Sequence, residues 1–167
     1  GMFIGELTRI IAADLIKKGT LFSHNTDLGN KLEGFLTPAG GFNTEYMSKL
    51  EACKNYADAR DVLKGVGVVD AKNSDIEVLR AVCMAVSDRA ACLAAAGLAA
   101  VAVHMEREHD CLVAVDGTLY AKYPNFKHRM VSGLKSLLGN KMGVRFMTAQ
   151  DGSGVGAALA AAAACAT

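Results

Sequence analysis

The sequence predicts an α/β fold that is rich in helix and carries a small sheet. Three observations point there. Helical spacing of apolar residues dominates the first hundred positions. Two short β-rich runs then appear, each followed by Asp-Gly. Small residues are abundant, with 17 Gly against no Trp, so elements can approach closely. The 167 residues suit one domain, 51% are hydrophobic and 21% charged, and 18 basic residues nearly balance 17 acidic ones. That composition excludes a disordered tail. It also argues against nucleic-acid binding, which rests on uncompensated Lys and Arg.

The elements follow in order. Phe3, Ile4, Leu7, Ile10, Ile11 and Leu15 recur at helical spacing, and Lys17, Lys18 and Gly19 close the helix. Thr26 is placed to cap a short helix to Lys31, and Pro38 to Gly41 reads as a loop. Helices are expected from Asn43 or Thr44 past Leu50, and from Ala57 to Lys64. Ser74 and Glu77 form a capping box at the head of a helix spanning 75–107, roughly 50 Å long at 1.5 Å per residue. So long a helix is expected to break near Ser87-Asp88 or Gly97, or to protrude. Its Ala90-Ala91 and Ala94–Gly97 face permits close packing. Cys111–Val115 reads as a strand, with Thr118–Tyr120 as a returning second strand. Pro124 opens a helix from Asn125 to Leu138. Val144–Met147 is a further strand, followed by a glycine turn and a last helix, Ala157–Cys165. No repeat occurs.

Cys53, Cys83, Cys92, Cys111 and Cys165 are odd in number and form no CxxC. They read as free thiols in a reducing, cytoplasmic setting, with Cys83 and Cys92 in the core. His104 and His109 stand five apart and do not match HExxH. No signal peptide and no transmembrane segment is expected.

Chemistry is expected at Asp116-Gly117-Thr118 and Asp151-Gly152-Ser153. Each has a strand end, then Asp-Gly, then a hydroxyl, and ligands of open α/β sheets bind beyond strand carboxyl ends. Gly admits close backbone approach, and Thr118 and Ser153 offer hydroxyl donors to phosphate or ribose. Ordinary Asp-Gly turns are the better explanation of either motif alone, and Gly152-x-Gly154-x-Gly156 matches neither GxGxxG nor a phosphate loop. Thr44 and Ser48 share a helix face and suit either a nucleotide contact or capping. Lys122, Lys127, His128 and Arg129 read as a solvated face.

Taken together, these segments resemble the C-terminal part of the large domain of a hexokinase, an actin-like ATPase (RNase H-like) fold. Four blocks carry the resemblance over nearly all of residues 1–167: Gly1-Met2-Phe3-Ile4-Gly5-Glu6-Leu7; Val86-Ser87-Asp88-Arg89-Ala90-Ala91; Val115-Asp116-Gly117-Thr118-Leu119-Tyr120 with Pro124 and Phe126; and Asp151-Gly152-Ser153-Gly154-Val155-Gly156-Ala157-Ala158. Phe42-Asn43-Thr44-Glu45-Tyr46-Met47-Ser48 is similar to a fifth family segment. The resemblance implies an enzyme that passes a phosphoryl group from ATP with Mg²⁺ to the 6-hydroxyl of a hexose. It implies nucleotide contacts by Gly1, Met2, Thr44, Ser48, Gly117, Thr118 and Ser153. Met2 stands where the family often has Lys, and Ala121 where a Lys commonly follows the Tyr. The family's catalytic Asp and hexose site lie N-terminal to these blocks, so the resemblance implies a piece of a longer chain, inactive alone, with a non-catalytic hexokinase-like domain as the alternative.

Overall fold

A computed structural model describes residues 2–24, 41–107, 109–139, 143–149 and 152–165. Helix α1, Met2–Lys17, ends with the Thr20 N–H on the Leu15 carbonyl at 2.9 Å and the Gly19 N–H on that of Ile16. That paired bonding satisfies carbonyls the helix leaves open. Helix α2 is Thr44–Ala52 and α3 is Tyr56–Lys64. The short helix expected from Thr26 to Lys31, and the Pro38–Gly41 loop up to residue 40, lie outside the described residues.

Helix α4, Asn73–His104, runs 32 residues without a break. The expected interruption is absent because the stretch holds no proline and its one glycine, Gly97, costs only about 1 kcal/mol against Ala. The start also differs from expectation. The helix begins at Asn73, which places Ser74 inside it, and Asp75 reaches back so that its Oδ2 accepts the Lys72 N–H at 3.1 Å. Glu77 accepts instead from the Tyr56 hydroxyl. By length and composition α4 could cross a membrane. In this fold it is the central core helix, packed against α1, α2, α3 and a later helix, with Ile76, Leu79 and Cys83 fully buried.

Strand β1, Cys111–Val115, leads into a five-residue helix α5, Thr118–Lys122, then α6, Phe126–Leu138, and strand β2, Val144–Thr148. The returning strand expected at Thr118–Tyr120 is therefore α5. β1 pairs in parallel with β2, Cys111 opposite Val144 and Val115 opposite Thr148, and parallel pairing needs a crossover, not a hairpin. α5 and α6 supply it. α6 lies along α4, where a Cβ on Gly133 would sit 3.2 Å from the Ala95 Cβ. The small-residue face of α4 thus allows the expected close approach.

Helix α7, Gly152–Cys165, begins earlier than expected and absorbs the glycine turn. All its described side chains are exposed. So are Leu112, Ala114 and Met147 on one face of the sheet, while Val113, Val144 and Phe146 turn inward, Phe146 beside Tyr120. Of the five free thiols, Cys83 is buried. Cys92 is exposed and so does not join the core as expected: it lies one helical step from buried Ala91, outside the apolar stripe.

Candidate nucleotide site

The carboxyl ends of β1 and β2 lie side by side, and the two Asp-Gly segments meet there. Asp116 follows β1, and its Oδ2 accepts the N–H of Gly152, the first residue of α7, at 3.1 Å. The Ala149 N–H donates to the Val115 carbonyl at 3.0 Å and carries the pairing past the last strand residue. Asp116 thus does more than turn its own backbone: its carboxylate takes up one of the N–H groups that open a helix, a favourable place for negative charge. Asp151 lies outside the described residues.

Gly117 has φ +154°, a region that L side chains rarely enter, and open space surrounds the position of an added Cβ. The glycine is needed for its conformation and leaves its surface clear for a ligand. Thr118 opens α5 and Ser153 is the second residue of α7, both exposed. Two hydroxyls therefore sit at one sheet end, joined through Asp116.

Thr44 and Ser48 are half-buried on α2. Asn43, and not Thr44, caps that helix, its Oδ1 accepting the N–H groups of Glu45 at 2.9 Å and Tyr46 at 3.3 Å. The start of α1 presses on this point: a Cβ on Gly5 would fall 2.5 Å from Asn43 C and Thr44 N. Met2 heads α1, and Gly1 lies outside the described residues. Thr44 and Ser48 stand on α2 and Thr118 on α5.

The connection runs through a buried cluster that sequence reasoning missed. Glu51, one turn beyond Ser48 on α2, is 5% exposed. Its Oε2 accepts from the Tyr123 hydroxyl at 3.0 Å and the Ser87 hydroxyl at 3.4 Å, and its Oε1 lies 2.6 Å from Arg129 Nη2. Arg129 also donates from Nη1 to Ser87 Oγ at 2.7 Å and pairs through Nε with Asp88. Arg129 is thus not part of a solvated face: it flanks the buried Phe126 and Met130 on α6 and is 13% exposed. Burial alone would lower its pKa, but the bond and charge of Glu51, with Asp88, raise it above its ordinary value. Burial, then Glu51, push the Tyr123 phenol up. The same two causes push the Cys83 thiol up to about 12. The available signal was Val86-Ser87-Asp88-Arg89, where Ser87 falls on the buried face of the helix beside Val86.

The chain is similar to known proteins over most of its length. The family model described as hexokinase matches residues 1–163. Hexokinase-2 of Homo sapiens is 36% identical over 97% of this chain and 17% of its own length. Hexokinase-3 of Mus musculus is 38% identical over 99% of this chain and 18% of its own. A hexokinase from Schistosoma mansoni, solved in complex with glucose, superposes with a TM-score of 0.81 at 30% identity, covering 93% of this chain and 34% of that one. The chain spans about a sixth of the length of the curated relatives it matches.

Proposed function

The chain belongs to the hexokinase family and has its actin-like ATPase fold, and on that premise we propose that it forms part of the ATP site of a longer, ATP-dependent hexokinase. That enzyme would phosphorylate glucose or a related hexose at the 6-hydroxyl, in the cytoplasm, as a step of sugar breakdown. The observation that carries the reading is the Asp116–Gly152 bond, which holds Thr118 and Ser153 at one end of the parallel sheet. The residues fit the nucleotide. Open space beside Gly117 admits it, the two hydroxyls donate to anionic oxygens, and the first N–H groups of a 14-residue helix favour negative charge. ATP with its Mg²⁺ supplies the phosphoryl group. These residues would hold it in position by hydrogen bonds, one part of what phosphoryl transfer asks of a protein. Gly1, Met2, Thr44 and Ser48 complete this part of the site. The catalytic base and hexose site belong to other residues of the enzyme.

The uncovered sheet supports the same reading. Parallel sheets occur with both faces covered, whereas Leu112 and Met147 are about half exposed on one face of this one, at 57% and 48%.

In the full-length enzyme, Thr118→Val is expected to raise the ATP KM roughly tenfold or more, since a hydrogen bond to a charged group contributes about 1.5–3 kcal/mol. An unchanged KM would remove Thr118 from the site. The 167-residue chain alone is expected to be catalytically silent. Glucose 6-phosphate formed above background by the purified chain would refute that.

A further inference from the structure

We infer that Glu51, Tyr123 and Arg129 are positioning residues for the nucleotide site, clamping the helix that bears Thr44 and Ser48 to the segment that bears Gly117 and Thr118. The inference rests on the proposed nucleotide role of those four residues.

The five-residue helix α5 cannot fix its own direction, because so few backbone bonds hold it. Its orientation must come from its flanks. At one end Gly117 adopts a conformation with φ +154°, with nothing within 4 Å of where a Cβ would lie. At the other end is Tyr123, whose N–H bonds the Leu119 carbonyl at 3.1 Å and whose hydroxyl bonds Glu51. Arg129 adds a second grip on the same turn, donating to the Pro124 carbonyl at 3.4 Å.

The other side of the clamp is α2. Thr44, Ser48 and Glu51 follow one another at i, i+4 and i+7, so they share a stripe of that helix. A carboxylate one turn from Ser48 is therefore held by the residue that ends α5. Ser87 and Asp88 of α4 brace the guanidinium from behind.

Stability is a poor reason for this design. Replacing a buried ion pair with well-packed apolar residues is often neutral or stabilising. Buried polar groups satisfied from several directions instead hold one arrangement against its neighbours. Here that arrangement, through the Glu51–Tyr123 bond, sets the spacing between the two segments.

The test uses the full-length enzyme with glucose, measuring the ATP KM, the glucose KM and kcat. Tyr123→Phe removes one hydroxyl and leaves the ring, so its fold is not at risk. Glu51→Gln removes the charge. Each is expected to raise the ATP KM at least fivefold while the glucose KM stays within twofold. The penalty of Thr118→Val should shrink at least threefold in the Glu51→Gln background, because a displaced Thr118 has less contact to lose. Equal rises in both KM values, or unaltered ATP KM with only a lower melting temperature, would overturn the inference and leave a purely structural clamp. Where Thr118→Val alone raises the ATP KM, full multiplication of the Thr118 and Glu51 effects would overturn it as well. If Thr118→Val is silent while Glu51→Gln and Tyr123→Phe raise the ATP KM alone, the positioning role stands and only the Thr118 contact falls. Should Glu51→Gln fail to fold, the ATP KM of Tyr123→Phe decides.

Discussion

Gly5→Ala should destabilise the protein even though it replaces the poorer helix former. The added Cβ would lie 2.5 Å from Asn43 C and Thr44 N and 2.8 Å from Asn43 Cα. Carbon contacts are comfortable at about 3.5–4.0 Å, so the start of α2 must withdraw by about 1 Å. These atoms are backbone and cannot swing aside as a side-chain tip would. Overpacking of this kind costs about 1–3 kcal/mol. Disturbing the Asn43 cap, which holds two N–H groups, adds about 1 kcal/mol, and the better propensity of Ala returns about 0.5–1 kcal/mol. The net loss is about 1–3 kcal/mol, a fall in melting temperature of about 2–12 °C for a chain of this size. Thermal unfolding followed by far-ultraviolet circular dichroism reads it directly. A melting temperature equal to or above that of the wild type would refute the close approach of α1 to α2.

The same substitution at Gly97 should act in the opposite direction. Nothing lies within 4 Å of an added Cβ there, so Gly97→Ala gains helix propensity without a clash, about 0.5–1 kcal/mol, and the same melting experiment should show a rise of about 1–4 °C. Cys83 should resist iodoacetamide at pH 8 while exposed Cys92 and Cys165 react, because the thiolate is the nucleophile and the buried thiol ionises only near 12. The raised value also fixes a sign: the unfolded thiol ionises first, so Cys83 costs no stability below about pH 8.5 and an increasing amount from there towards 12. Peptide mapping of the alkylated protein checks the first point, and a Cys83→Ser comparison across pH checks the second.

How much of this could be read in advance depended on the range of the interaction that decided each element. Helix α1 was legible because its ending is local: Lys17, Lys18 and Gly19 carry the stop within one turn. α4 was legible in place but not in continuity, since an unbroken 32-residue helix is tolerated only because α1, α2 and α6 pack along it. Thr118–Tyr120 was misread as a strand. Its β-rich pattern is local, whereas the parallel pairing of β1 with β2 is set 33 residues away, Cys111 opposite Val144. The same limit governed the site. Gly117, Thr118 and Ser153 stood out as two separate motifs, each better explained alone as a plain turn. What separates them from plain turns is the Asp116–Gly152 bond, 36 positions apart in sequence. Arg129 shows the limit most sharply. Beside Lys127 and His128 it looked like one more solvated cation, and only the fold places it between Glu51 and Asp88, 78 and 41 positions upstream. Residues whose neighbours lie close in the chain announce themselves by pattern. A residue whose partners come from two other helices does so only when those helices are assembled, as Arg129 does with Glu51 of α2 and Ser87 and Asp88 of α4.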